Sequence, residues 1–291
     1  MSDEQNPYQT PQAIELSHGY RIAPTAGRPE VPFASGRLRA CVAMTLVALV
    51  VLASLWVAVS TNMQIGLLER AARGISPSAG EATSNDIRQN VAVALRQVTY
   101  MISGVTFLIW FYRAYRNLPA LGNAHLAHAP FGAVGWWFVP IASLVVPCQI
   151  ALEIWKGSEP KNFDLKWPQK PASAWLVGAW WAMYLLMCVA PFVSRLAHIP
   201  GADPRSLDSL LAENWGDVVT ELITVPAGIV AILFIRGVDR NQEARIRLVN
   251  ERTPASLMPP TEARLSAFLD KISASNPPGG NPPFAPPADR P

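Results

Sequence analysis

Charge is what this chain has least of. Asp, Glu, Lys and Arg make up 15% of its 291 residues, against about 25% in an ordinary soluble domain. Half of the residues are hydrophobic, and they fall in blocks instead of alternating with polar positions. That combination excludes a conventional soluble fold and predicts an all-α integral membrane protein. A net charge of +3 is too small for a nucleic-acid binder. Cysteine is scarce too. Cys41, Cys148 and Cys188 lie inside apolar blocks with no C-x-x-C and no paired spacing, so they read as small packing residues. His18 and His198 are isolated, and the H-x-x-H of His125 and His128 has no acid or third ligand nearby. Zinc sites usually take three or four protein ligands, so no metal is expected. There is no glycine-rich phosphate loop, no G-x-S-x-G and no carboxylate pair inside an apolar block. The expectation is a protein that is not an enzyme and carries no cofactor.

Proline is plentiful and marks the ends of the chain. Residues 1–36 are polar, hold five prolines and lack an apolar period, which predicts a disordered tail. A secretory signal has an apolar core of about 7–15 residues after a short basic stretch. The first apolar block here starts near residue 38 and is longer, so it reads as an anchor helix. The membrane domain is expected over 37–245, with spans at 38–60, 91–112, 171–194 and 217–235. Each approaches the ~20 apolar residues needed to cross hydrocarbon. After 246 a cytoplasmic tail follows, with a short amphipathic helix at 261–272 and a Pro/Gly-rich end.

A fifth block, 131–152, is uncharged before Glu153 but holds Pro140 and Pro147. Each proline removes a backbone donor and clashes with the preceding turn. A span must satisfy its backbone internally, so this segment reads as a re-entrant or interfacial helix, with a fifth span as the alternative. The positive-inside rule separates the two. With four spans and both termini in the cytoplasm, eighteen Lys and Arg lie inside and five outside. With five spans the best division is fifteen to eight.

Two lone charges interrupt the spans. Arg96 lies in the second and Glu221 in the fourth, at similar depth in the four-span arrangement. An unpaired charge in hydrocarbon costs about 2.5–3.5 kcal/mol or more, and an ion pair between them relieves much of that. The alternatives are separate snorkelling to the surface or a site for a charged solute or proton. A second candidate group gathers at the inner interface. Arg113 and Arg116 leave the second span on one face, and Glu153, four residues after Gln149, can reach that face if the broken segment folds back. Trp136, Trp137, Pro140, Pro147 and Trp155 complete the cluster. It reads either as juxtamembrane anchoring or as a site for an anionic lipid headgroup.

One stretch also resembles a known family. Trp110-Phe111-Tyr112-Arg113-Ala114-Tyr115-Arg116-Asn117 leads through Ala120-Leu121-Gly122 to Gly135-Trp136-Trp137-Phe138-Val139-Pro140-Ile141-Ala142, then Pro147, Gln149, Glu153, Trp155 and Ser158. This order and spacing resembles a bacterial membrane family known as domain of unknown function 4328, over roughly 40–245. Ser143 stands where that family often has Asn, and Val146 where it often has Arg. The resemblance implies a place in the bacterial cytoplasmic membrane and a helical architecture. It implies no activity. The expected function is a non-enzymatic module that contacts membrane lipids, a protein partner or a second copy. The alternative is a small transporter or channel subunit that uses the broken helix as a re-entrant element.

Overall fold

The computed structural model describes residues 32–123, 126–162, 174–196 and 206–252, with 265 and 269–271. Every regular element among them is helical. Most of both predicted tails and most of the 261–272 helix lie outside the described residues. Helix α1 is Arg37–Ala72, α2 Ala79–Arg116, α3 Gly132–Gly135, α4 Val146–Ser158, α5 Trp175–Leu196 and α6 Leu207–Arg252. Helices α1, α2 and α6 are long and apolar enough to cross a membrane. Helix α5, with 22 residues, is about 33 Å long at 1.5 Å per residue.

The long helices overrun the predicted spans because local signals stop them later than hydropathy does. Helix α1 continues to Gly74, whose φ of 83° suits the left-handed position that ends a helix. The Gly74 N–H donates to the Ala71 carbonyl and the Ile75 N–H to that of Arg70, closing the cap. Helix α2 then starts twelve residues before its predicted span, at a capping box. The Ser78 hydroxyl accepts from the Glu81 N–H at 3.2 Å, and the Glu81 carboxylate accepts from the Ser78 N–H at 3.1 Å. Helix α6 runs 46 residues through Pro226.

Helix α1 packs against both α2 and α6, and α5 packs against α6. The approach of α6 to α1 is close at Gly228, where a Cβ would collide with the Val51 side chain. Contacts along the helices fix their relative levels. At one end, Ala34 before α1 and Gln242 of α6 both hydrogen-bond Asn117 after α2. At the other, Ser60 of α1 donates to Gln89 of α2 at 2.6 Å. Arg37, Arg39, Arg113, Arg116, Arg236 and Arg240 all belong to the first end, called here the arginine end. The lower part of α2 leaves Val91, Val98, Met101, Val105 and Ile109 exposed. Such an apolar face is unfavourable in water and suits lipid.

The broken segment turns back. Its two helical parts, Gly132–Phe138 and Ala142–Ser158, meet at a bend of 115°. Both of its ends lie at the arginine end. The His128 carbonyl accepts from the Tyr115 hydroxyl at 2.9 Å, and the Gly157 carbonyl accepts from Asn123 at 2.9 Å. Between those ends Phe131 meets Tyr112, and Trp137 reaches Phe107. Eight residues along α2, from Tyr115 to Phe107, correspond to about 12 Å. The segment is therefore a hairpin that descends partway beside α2 and returns. The expectation that both prolines break it needs correction. Pro147 sits in the first turn of α4, where its missing N–H has no helical acceptor and its fixed φ favours the start of a helix. The break falls at Pro140-Ile141-Ala142. There Ile141 takes φ 67°, ψ −52°, and the Ala142 N–H donates to the Pro140 carbonyl at 2.7 Å. That is a γ-turn of positive φ, a rare and strained conformation.

Candidate functional site

The hairpin is held by a polar collar, and the collar is not the predicted one. Glu153 does not reach Arg113 or Arg116. Its Oε2 accepts from the Tyr115 hydroxyl at 2.7 Å and its Oε1 from the Ala127 N–H at 3.2 Å. Helical phase explains this. Phe111, Tyr115 and Leu118 form the buried stripe of α2 and its exit turn. Positions 113 and 116 point about 100–200° away at 100° per residue. Arg116 is exposed, and the Arg113 Nε donates to the Ala34 carbonyl at 3.4 Å. The Tyr115–Glu153 contact thus joins the returning limb to α2, and Tyr115 and Ala127 fix the incoming limb beside it.

Two further residues extend the collar. Gln242 of α6 donates to the Ala114 carbonyl at 2.8 Å and to the Ser158 hydroxyl at 3.1 Å, and accepts from Asn117 at 3.1 Å. Arg245 is fully buried. Its Nε donates to the Leu121 carbonyl and its Nη1 to that of Glu159, both at 2.8 Å. These carbonyls lie at the end of the short turn after α2 and just past α4, where helix ends carry partial negative charge. The stretch of α6 beyond the predicted fourth span therefore contributes a core. Sequence reading missed Tyr115, Asn117, Gln242 and Arg245. The available signal was spacing, since Ile235, Val238, Gln242 and Arg245 recur every three or four residues.

The tryptophans also differ from expectation. Trp110 is buried, and Trp137 packs edge-on against Phe107, Phe111 and Tyr184. Trp180 stacks on Phe234 at 4.9 Å, and Trp155 stacks on the same ring from the other helix. These rings are a packed aromatic core that seats the hairpin, not interfacial anchors. Trp136, by contrast, lies exposed. Pro147 is buried, while Pro140 and Gln149 are exposed. The hairpin tip presents Phe138, Val139, Ile141, Leu144 and Val145 outward. Among the described residues no group of His, Cys, Asp and Glu is suited to hold a metal, and His125 lies outside them.

The structure joins the two lone charges. The Arg96 Nε lies 2.9 Å from Glu221 Oε1 and 3.1 Å from Oε2. Arg96 is one-quarter exposed and Glu221 nearly buried. Asp217, one turn before Glu221, lies in the field of the same guanidinium. Nearer the far end, Arg88 donates to the Ser60 hydroxyl at 3.0 Å and to its carbonyl at 3.2 Å. Gln89 donates to Gln64 at 2.7 Å. These contacts tie α1 to α2.

Described residues whose regular elements are all helical, with apolar helices of membrane length folded around a hairpin, define an all-α membrane protein. Within that class the chain belongs to the family described as Domain of unknown function (DUF4328), which matches residues 73–240. The match includes both predicted charge sites and the hairpin and excludes all of α1. No curated protein and no solved structure matches the chain.

Proposed function

We propose that this is a non-enzymatic protein of the bacterial cytoplasmic membrane whose arginine end faces the cytoplasm and engages anionic lipid headgroups. In this reading α1, α2, α5 and α6 cross the membrane and the hairpin enters from the cytoplasmic side. The observation that carries it is the common level of the hairpin's two ends and of arginines from α1, α2 and α6. Each basic residue near an anionic surface contributes about 1 kcal/mol of attraction. Charge at that level with an uncharged hairpin tip below it matches the profile of a bilayer leaflet. The positive-inside division of eighteen to five gives the same orientation.

Orientation is tested with single cysteines at positions 25, 161 and 75 of an otherwise cysteine-free variant. An impermeant thiol reagent added to intact cells is expected to label position 75 alone. Labelling at 25 or 161 refutes the orientation. Lipid engagement is tested by flotation with vesicles of phosphatidylcholine alone or with added phosphatidylglycerol, using protein held in amphipol. Equal recovery from both vesicle types refutes headgroup recognition.

A second reading is a transporter or channel subunit. It is favoured by the partway hairpin together with Arg96, Glu221 and Asp217 on the far side of the apolar layer, since discontinuous helices line transport sites. Solute flux through proteoliposomes that disappears in Glu221→Gln would favour it over the first.

A further inference from the structure

We infer that the groove between the start of α1 and the middle of α6 is a dedicated binding site for one anionic phospholipid, with its phosphate on arginines and an acyl chain on the apolar floor. This rests on the lipid reading above and names its site, which differs from the Arg113/Arg116 face suggested by the sequence. The groove is open, about 570 Å³ in volume, and lined by Arg37, Met44, Ile232, Arg236, Arg240 and Arg247. Small-molecule sites commonly occupy about 300–1,000 Å³.

Three observations carry it. First, the arginines of α6 share a face. Positions 236, 240 and 247 differ in helical phase by no more than about 40° at 100° per residue. Second, among the described residues none of these three forms an ion pair or a side-chain hydrogen bond. The groove also holds two acids, so its arginines outnumber its carboxylates four to two. Glu243 accepts from the Ser35 hydroxyl at 2.5 Å, and Asp239 lies in the fields of Glu243 and Arg37. That excess of guanidiniums over carboxylates favours a group that supplies acceptor oxygens, and arginine binds phosphate in a bidentate manner. Third, the groove straddles the boundary between charge and apolar surface. Met44 and Ile232 lie one to two turns toward the bundle middle from Arg37 and Arg236. A soluble phosphate would use only the upper part, whereas a phospholipid fills both.

The test measures lipid retention on the full chain by native mass spectrometry from detergent, titrating phosphatidylglycerol and phosphatidylcholine separately. The wild type is expected to hold one phosphatidylglycerol at least ten-fold more tightly than phosphatidylcholine. The Arg236→Gln/Arg240→Gln variant is expected to weaken that lipid about 30-fold, about five-fold for each arginine. Met44→Trp, which fills the floor without changing charge, is expected to weaken it as well. Arg113→Gln/Arg116→Gln is the control and should retain it. If the groove variants keep wild-type affinity while the control loses it, the groove assignment fails and lipid engagement at this end survives. If the wild type does not distinguish the two lipids, both fail. If millimolar glycerol 3-phosphate displaces the lipid, or if Met44→Trp has no effect, the site takes a soluble phosphate and the lipid assignment is overturned.

Discussion

Neutralising Glu221 while leaving Arg96 in place isolates the energetics of the buried charge pair. Residues 97–112 of α2 carry no charge and span about 24 Å, and residues 222–235 of α6 about 21 Å, at 1.5 Å per residue. The hydrocarbon layer is about 30 Å thick. With Arg113 and Arg236 at one edge, the pair therefore sits roughly 6–9 Å inside the other edge. At about 4 Å between charge centres and an effective dielectric near 20, the attraction is about 4 kcal/mol. Desolvation of the two ions offsets most of it, so the pair is worth little against an apolar replacement. Removing one partner is different. A buried single charge costs about 3–5 kcal/mol. Here Arg96 is one-quarter exposed and within snorkelling reach of the far surface. That reduces the expected loss for Glu221→Gln to about 2–3 kcal/mol. Asp217 can take over part of the role, so the variant is made together with Asp217→Asn.

The assay is thermal unfolding of purified protein in detergent. At about 2–4 °C per kcal/mol for a chain of this size class, Tm is expected to fall by about 4–12 °C. Arg96→Leu/Glu221→Leu should return to within about 3 °C of the wild type, because no charge is left uncompensated. If the neutral double variant is as unstable as Glu221→Gln, the pair does more than compensate charge. If Glu221→Gln leaves Tm unchanged, Arg96 is solvated without its partner.

Three further outcomes follow from the hairpin and its seat. Tyr115→Phe removes the hydroxyl that joins both limbs and leaves Glu153 with one contact, which should cost about 1–3 kcal/mol; a cysteine at Ile141 should then react faster with a membrane-permeant maleimide, and an unchanged rate would exclude an anchoring role. Ile141→Gly should raise Tm by about 2–4 °C, because a residue without a Cβ relieves roughly 1 kcal/mol at positive φ; a fall would show that the exposed isoleucine contributes more by its side chain than it costs in the turn. Gly228→Val should lower the yield of folded protein sharply, since overpacking typically costs about 1–3 kcal/mol and here the collision is with a neighbouring helix, whereas Gly178→Ala, with open space around it, should unfold like the wild type.

Much of the architecture was legible because hydropathy reports helices that face lipid. Lack of charge and apolar blocks were enough for the all-α membrane class, and the Trp110–Ser158 motif was enough for the family. Arg96 and Glu221 stood out for the same reason, as charges where charge is costly. The collar was not legible because its members are polar and lie in stretches that are polar anyway. Arg245 has exposed charged neighbours such as Arg240 and Arg247, and only its phase with Val238 and Gln242 separates it from them. Glu153 was assigned to Arg113 and Arg116 by sign of charge, yet the geometry of α2 gives the inward position to Tyr115. Opposite charge is a weaker guide than helical phase where one face of a helix is buried.

The hairpin shows what an apolar run can and cannot report. Phe131 to Leu152 has the length of a span, and its composition would satisfy any hydropathy threshold for crossing. What stops it from crossing is the combination of a turn and two anchors. The γ-turn at Ile141 turns the chain four residues after Trp137, which meets α2 about 12 Å along from Tyr115. Tyr115 then binds the incoming limb through His128 and the returning limb through Glu153. Either feature alone would be compatible with a kinked span, because proline kinks are tolerated where neighbouring groups satisfy the freed backbone. Together they require both ends at one level, and that level is set among the described residues by Asn117, Gln242 and Arg245. The depth of the hairpin is therefore a property of its anchors, not of its apolar length. A longer apolar tip inserted at Ser143 should lengthen the loop without converting it into a span as long as Tyr115 and Glu153 remain.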